Sequence, residues 1–436
     1  MAGLKIGLVL STNASYRRAV ARGRPYSSWA PATLAVLAAL VPTELKAEVR
    51  TFDLVRQKIP DDLPSCDLVG ISAITCGAPF AYQLADDLRN RGVTVVLGGA
   101  HPTAVPEESL AHATAVVVGY GERTWPRLLR DFAEGRLQPL YRDFEDPFTS
   151  SVPFMDRSHL KGKGYFFDRV VEFSRGCPNG CSFCSVAGMN NGRVYCRDRR
   201  ELMEELTALG KSVLFLDSNF TGNPDRVRPL WEGLRDARIR WYCAASLRFA
   251  SDPELVDLAA VCGCRGVLIG FESINEASLR SSRKSFNHPR EYSEAVARLH
   301  RRGIPVLGCF VFGLDGDGAD VFERTVDFVS RAKVDLVRYA VATPFPGTPL
   351  HERLQREGRL ISGNWEEYDT EHVVFRPLRM TPEQLREGHR WAYRETYRLS
   401  RILSRVRARS LPRSLIANLG FRSLAYTFDD LQGETE

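Results

Sequence analysis

The chain has 436 residues, 44% of them hydrophobic and 26% charged, with a net charge of +6. With this composition a folded, soluble protein is expected, and the length asks for about two to three domains. The mild positive balance does not by itself point to nucleic acid. No run of about 18 uncharged apolar residues offers a membrane span, and the ten scattered cysteines argue for thiols or a metal site rather than a disulfide framework.

The first apolar run, residues 4–10, is too short for a signal peptide and reads as a strand, so a cytoplasmic protein is expected. Further short apolar runs fall at 46–54, 67–73, 93–98 and 114–118, with helix-like segments near 31–41, 79–91, 105–111 and 121–134. Alternation of this kind predicts a doubly wound parallel sheet, an α/β domain over 1–135. The runs VVLGGAHPT and VVVGYGE each end in glycine, where a backbone can approach a large ligand beyond the strand ends. Residues 136–168, rich in Pro, Asp and Gly, are expected to form a linker.

The next strand, DRVVEFS, leads into RGCPNGCSFCS, which places Cys177, Cys181 and Cys184 at C-x3-C-x2-C spacing. Five more apolar runs follow, at 212–217, 240–246, 266–272, 305–313 and 334–342, separated by helical segments. Six strands joined by helices predict a partial (β/α)6 barrel over 169–345, with its site at the carboxyl ends of the strands. Residues 346–436 are expected to be mostly helical. Three soft thiolates suit an iron–sulfur cluster with one iron left open. A zinc site completed by Cys196 or a histidine is the alternative.

The cysteine loop after a first barrel strand resembles the radical S-adenosylmethionine (SAM) superfamily. The resemblance implies a [4Fe–4S] cluster on Cys177, Cys181 and Cys184, whose open iron chelates the methionine moiety of SAM and whose electron yields a 5′-deoxyadenosyl radical. It further implies cofactor contacts from Phe183 near adenine; from Asp217, Ser218 and Asn219 in FLDSNF; from Ser246 and Arg248 in SLRF; from Glu272 in GVLIGFES; and from the backbone around Phe312 in FVFGLDGD. FLDSNF departs from the Gly-Gly-Glu that many members carry. TPFPGTPL (343–350) resembles a Pro-Gly turn of one branch of the superfamily.

Residues 67–132 resemble the cobalamin-binding domain fused to such barrels, through GGAHPT and the later G-Y-G-E. The two resemblances together cover roughly 4–345. They imply a cobalamin near Ser72, Thr75, Gly98, Gly99, His101, Gly119 and Glu122. The D-x-H-x-x-G motif of the mutase type is absent, so the expected state is base-off with no histidine ligand. No G-x-G-x-x-G follows the first strand, which argues against a dinucleotide. In the C-terminal region, Thr381, Pro382 and Gln384 read as a capping box, and Arg386, Arg390, Arg394, Arg398, Arg401, Arg405 and Arg409 fall along one helix face. That face is a candidate for a peripheral membrane or anionic contact. Tyr368 and His372, in a segment resembling one found after the barrel in the same branch, are candidates to line a substrate cavity.

The family resembled is that of cobalamin-dependent radical SAM enzymes. It implies a methyltransferase acting on an unactivated carbon of a small or lipid-like metabolite, through methylcobalamin and the deoxyadenosyl radical. It also implies a low-potential donor such as flavodoxin or ferredoxin. The alternatives are cyclisation or oxidative rearrangement, aminocarboxypropyl transfer, and a cluster- and corrinoid-binding sensor or electron-transfer protein.

Overall fold

A computed structural model describes residues 3–13, 29–148, 154–190, 192–406 and 414–423. The chain divides into two compact units, one of Met1–Val170 with Asn364–Asp369 and the other of Val171–Gly363 with Thr370–Glu436.

The first unit runs β1 (Lys5–Leu10), α1 (Ala32–Ala39), β2 (Glu48–Asp53), β3 (Leu68–Ser72), α2 (Ala78–Asn90), β4 (Thr94–Gly98), α3 (Ala100–Ala104), α4 (Pro106–His112), β5 (Ala115–Gly119), α5 (Gly121–Ala133) and β6 (Leu140–Asp143). Its sheet order is β2-β1-β3-β4-β5-β6, with all pairs parallel. Alternation along β1 explains the two layers. Val9 joins one buried cluster with Ile71, Leu84 and Leu88, whereas Ile6 and Leu8 join another with Trp125 and Leu128. Both faces are covered, as a parallel sheet requires. Strand β6 falls inside the expected linker. Only Tyr141 of its four residues is buried, so an edge strand formed where no apolar run marked it. The segment after it is also bound to this unit: Lys163 Nζ donates to the Thr51 carbonyl at 2.9 Å and Tyr165 Oη to Asp53 at 2.5 Å.

The second unit runs β7 (Val170–Val171), β8 (Ser174–Gly176), α6 (Ser185–Asn190), β9 (Val194–Cys196), α7 (Arg199–Leu209), β10 (Ser212–Phe215), α8 (Pro224–Asp236), β11 (Arg240–Ala245), α9 (Leu247–Ser251), α10 (Pro253–Val261), β12 (Cys264–Glu272), α11 (Glu276–Ser281), α12 (Tyr292–Arg301), β13 (Val306–Phe312), α13 (Val321–Arg331), β14 (Leu336–Val341), α14 (Pro349–Arg356), α15 (Pro382–Thr396) and α16 (Leu399–Arg405). The six expected strands form one sheet in the order β14-β13-β12-β11-β10-β7. Strands β8 and β9 make a separate antiparallel ribbon that brackets the cysteine loop.

An open sheet leaves edge N–H and C=O groups to be satisfied. Here α15 covers the β14 edge with tyrosines. Tyr397 Oη accepts from Val337 N at 2.9 Å and donates to its carbonyl at 2.7 Å, and Tyr393 Oη does the same for Tyr339 at 3.0 and 2.8 Å. The Thr370 carbonyl takes Val341 N at 2.7 Å. Helix α15 begins with the expected capping box, Thr381 Oγ1 accepting from Gln384 N and the Gln384 side chain from Thr381 N. The arginine face is not continuous: the helix ends at Thr396 and α16 restarts with Arg398 as its N-cap. Arg405 is fully buried, donating to the Thr396 carbonyl and to Asn418 Oδ1. Arg409 lies outside the described residues.

Candidate active site

The cysteine loop is fastened at several points within the second unit. Asp217, just beyond β10, is fully buried and accepts from Phe173 N at 3.0 Å, Ser174 N at 2.5 Å and Ser174 Oγ at 2.5 Å. It thus braces the strand that enters the loop. Burial pushes its carboxyl up to about 7 against the pull of these donors. Gly176 has φ +103, and a Cβ there would meet the Arg193 carbonyl. Ser182 N donates to the Ser282 carbonyl at 3.0 Å, and its own carbonyl accepts from Leu350 N at 2.9 Å. The TPFPGTPL turn therefore holds the loop.

Asn219 Nδ2 lies 3.8 Å from Cys177 Sγ, with Thr221 Oγ1 donating to Asn219 Oδ1 at 3.2 Å. Burial pushes the Cys181 thiol up to about 11 and raises Cys184 as well. Both thiols feel Glu272, and Cys181 also feels Lys284. Glu272 closes β12 at φ +63, beside a register shift in the β12–β13 pairing. An L-residue pays about 1–2 kcal/mol for that conformation and holds it where the surroundings over-determine it. The Glu272 side chain is held by Lys284, whose Nζ donates to Glu272 Oε1 at 2.5 Å in a pair whose side chains are only 9% and 12% exposed. Burial works to discharge Lys284, but Glu272 and the thiols outweigh it and its pKa lies above the ordinary lysine value. Lys284 was missed by sequence reasoning, because it sits one helix beyond the strand end in SSRKSF. The only available signal was that a glutamate at a barrel strand end needs a partner.

The other expected residues divide by environment. Ser218 is exposed, Ser246 is the N-cap of α9, and Arg248 is exposed with its guanidinium 4.8 Å from the Phe286 ring centre. Phe183 packs against the barrel core. The Phe312 side chain is buried among Phe322, Tyr339 and His389, and its carbonyl accepts from Ala342 N. Cys196, offered as a fourth zinc ligand, sits in β9 and packs on the same core.

Among the described residues, no three His, Cys, Asp or Glu side chains converge on a point for a single ion. Yet Cys177, Cys181 and Cys184 lie within electrostatic range of one another. Thiolates that each bind a separate iron of a cubane need not converge, so this donor set fits a polynuclear iron–sulfur cluster.

In the first unit the strand order reverses between β2-β1 and β3, which opens a crevice beyond the carboxyl ends of β1 and β3. Ser72, at the end of β3, accepts on its carbonyl from Ser11 N, and Thr75 is buried in the following turn. Gly98 ends β4. Gly99 has φ +105, and a Cβ there would stand 2.7 Å from the Ala73 carbonyl. Gly119, at φ +90, donates through its N–H to Thr103 Oγ1 at 3.0 Å, and Glu122 is buried in the first turn of α5.

His101 is fully buried. Its Nε2 is 3.0 Å from Tyr82 Oη, and Trp365 meets its ring edge-on at 5.2 Å. Burial lowers its pKa to about 4, leaving it neutral at pH 7. Its Nδ1 and the buried Thr12 Oγ1 have no hydrogen-bond partner among the described residues. Thr12 follows β1 and His101 follows β4, and unsatisfied buried polar atoms beyond strand ends fit a polar ligand bound on that side of the sheet. Tyr368 is buried against Trp365 in this unit, whereas His372 belongs to the other.

Comparison with known proteins matches three segments of the chain. Residues 28–129 match the B12 binding domain, 171–329 the radical SAM superfamily, and 348–412 a domain of unknown function (DUF4070). The chain is 32% identical over 342 residues to bacteriochlorophyllide d C-12(1)-methyltransferase of Chlorobaculum tepidum, covering 76% of this chain and 74% of that protein. It is 30% identical over 429 residues to an uncharacterised methyltransferase of Pyrococcus horikoshii, covering 89% and 92%. The fold matches the radical SAM methyltransferase TsrM of Kitasatospora setae, solved with tryptophan and a SAM analogue, with a TM-score of 0.67 at 18% identity over 99% of both chains. With its sheets in this order and this kinship along most of its length, the chain belongs to the cobalamin-dependent radical SAM enzyme family.

Proposed function

We propose that this enzyme transfers a methyl group to an unactivated carbon of a small or lipid-like metabolite. The observation that carries this reading is the pairing of two features in one chain. One is a three-thiol loop braced beside a buried Glu272–Lys284 pair. The other is a parallel sheet with unsatisfied buried polar atoms just beyond its strand ends. When bound, a [4Fe–4S] cluster supplies one low-potential electron for SAM cleavage, and a cobalamin supplies a carrier for the methyl group.

The chain's own residues position these groups. Cys177, Cys181 and Cys184 would hold three irons, with Asn219 beside the first. Glu272, fixed by Lys284, and Arg248 present an anion and a cation suited to the amine or ribose and to the carboxylate of SAM. Asp217 serves this cosubstrate indirectly, by bracing the loop. Ser72, Thr75, Gly98, Gly99, Gly119 and Glu122 frame the corrinoid crevice. With His101 packed between Tyr82 and Trp365, and no D-x-H-x-x-G in the sequence, the bound form is base-off without a histidine ligand. The electron comes from a flavodoxin or ferredoxin in the cytoplasm.

The test is product analysis under strong reductant with SAM and cobalamin. S-adenosylhomocysteine that depends on cobalamin, together with 5′-deoxyadenosine, supports methyl transfer. Methylthioadenosine would replace this reading with aminocarboxypropyl transfer, and absence of SAM cleavage would leave a binding or electron-transfer protein. The variants Cys177→Ala, Cys181→Ala and Cys184→Ala should each lose iron and deoxyadenosine formation.

A further inference from the structure

Asn219 lies in the turn between β10 and α8 and is held on both sides. Two residues before it, the Asp217 carboxylate is buried under three hydrogen bonds. Next to it, Phe220 N donates to the Ala244 carbonyl of β11 at 2.9 Å, and the Phe220 ring stacks on Phe215 at 4.1 Å. Gly222 N closes the turn by donating to the Asn219 carbonyl at 2.9 Å. Asn219 is only 5% exposed, so its amide has little freedom.

Neighbouring groups set which way that amide faces. Thr221 Oγ1, also buried, donates to Asn219 Oδ1 at 3.2 Å, and Nδ2 is left facing Cys177 Sγ at 3.8 Å. A thiolate accepts and cannot donate, so the reversed amide would set oxygen against sulfur. Gly222 keeps this space open, since a Cβ there would stand 3.1 Å from Asn219 Nδ2 and 3.2 Å from Pro178 Cδ. The other two thiols feel different groups: backbone N–H of Val186 and Ala187 act on Cys184, and the Lys284 ammonium acts on Cys181. Among the described residues, Asn219 is the one side chain that hydrogen-bonds a thiol of the loop.

We infer that Asn219, oriented by Thr221, donates an N–H···S bond to the Cys177 thiolate and thereby raises the reduction potential of the cluster. One electron from the donor enters the cluster, no bond breaks, and Asn219 keeps both its protons. The added negative charge falls partly on the sulfurs, so a fixed donor binds the reduced state more strongly than the oxidised one. Thr221 is a positioning residue that acts through the amide. The inference rests on the cluster reading and not on methyl transfer, because any reaction begun at this cluster needs the same electron.

The test uses the full chain, reconstituted anaerobically and free of SAM, with reduced cluster measured by electron paramagnetic resonance against dyes of known potential. Asn219→Leu keeps roughly the volume and removes the donor. At a fixed solution potential its ratio of reduced to oxidised cluster should fall about tenfold, which is about 59 mV for one electron. Thr221→Val keeps the donor but releases the amide, and should shift the ratio the same way by a smaller factor. Iron and sulfide per chain should stay parental, as should SAM binding by equilibrium dialysis. A fully loaded Asn219→Leu chain with the parental ratio would overturn the inference, and weaker SAM binding in that chain would place Asn219 on SAM instead. If Asn219→Leu fails to load its cluster, a parental ratio in Thr221→Val would overturn it equally. A parent chain that takes up no cluster would refute the cluster reading, and this inference with it.

Discussion

Replacing Asp217 with asparagine keeps the shape of the side chain and removes one of its two acceptors. In the native unit those oxygens take Phe173 N, Ser174 N and Ser174 Oγ in a site closed to solvent. The amide nitrogen of the variant would face a backbone N–H, leaving a buried donor unsatisfied at a cost of about 1–3 kcal/mol. For a domain of this size that lowers the melting temperature by about 3–10 °C. The penalty depends on pH. Burial lifts Asp217 to about 7 from the ordinary 3.8 of an aspartate, so between those values the folded unit holds a proton that the unfolded chain has released. Stability from this site is therefore lost progressively as pH rises from about 3.8 through about 7, and the variant's deficit should be larger at about pH 5 than at about pH 8. Thermal unfolding of the apo chain at both pH values, with iron and sulfide content after reconstitution, provides the assay. The variant should melt lower and hold less cluster. A variant that melts with the parent and holds full iron but binds SAM weakly would refute the bracing role and place Asp217 on the SAM amine.

Lys284→Met leaves Glu272 buried without its partner, which should destabilise the second unit by about 3–5 kcal/mol. The double variant with Glu272→Gln should recover part of that loss, as a double-mutant cycle of unfolding would show. Gly99→Ala forces a side chain at φ +105 against the Ala73 backbone, so corrinoid per chain should fall with iron content unchanged. Tyr393→Phe strips the edge of β14 of the group serving Tyr339 N and O. A loss of about 1–3 kcal/mol should appear as faster hydrogen exchange at Tyr339.

The parallel sheets were legible because each central strand is a short run of Val, Ile and Leu flanked by turn residues. Strand β6 was not, since an edge strand with one buried residue has no apolar signature. The ribbon β8–β9 was hidden because strands of three residues are too short for an alternation to show. The cysteine loop was legible through its spacing and its place after the first barrel strand. Lys284 and the bracing role of Asp217 were not, because they depend on which side chain fills the space left by another. The capping box at Thr381 marked the start of α15, but nothing in the regular arginine spacing betrayed the break after Thr396, where Tyr397 turns its hydroxyl to the edge of β14.

Stoichiometry decides whether one chain holds both a cluster and a corrinoid. The protein would be produced anaerobically with iron, sulfide and cobalamin, desalted, and its corrinoid measured against chain concentration by absorption. Close to one base-off corrinoid per chain is expected alongside the cluster. An intact cluster with no retained corrinoid would contradict it.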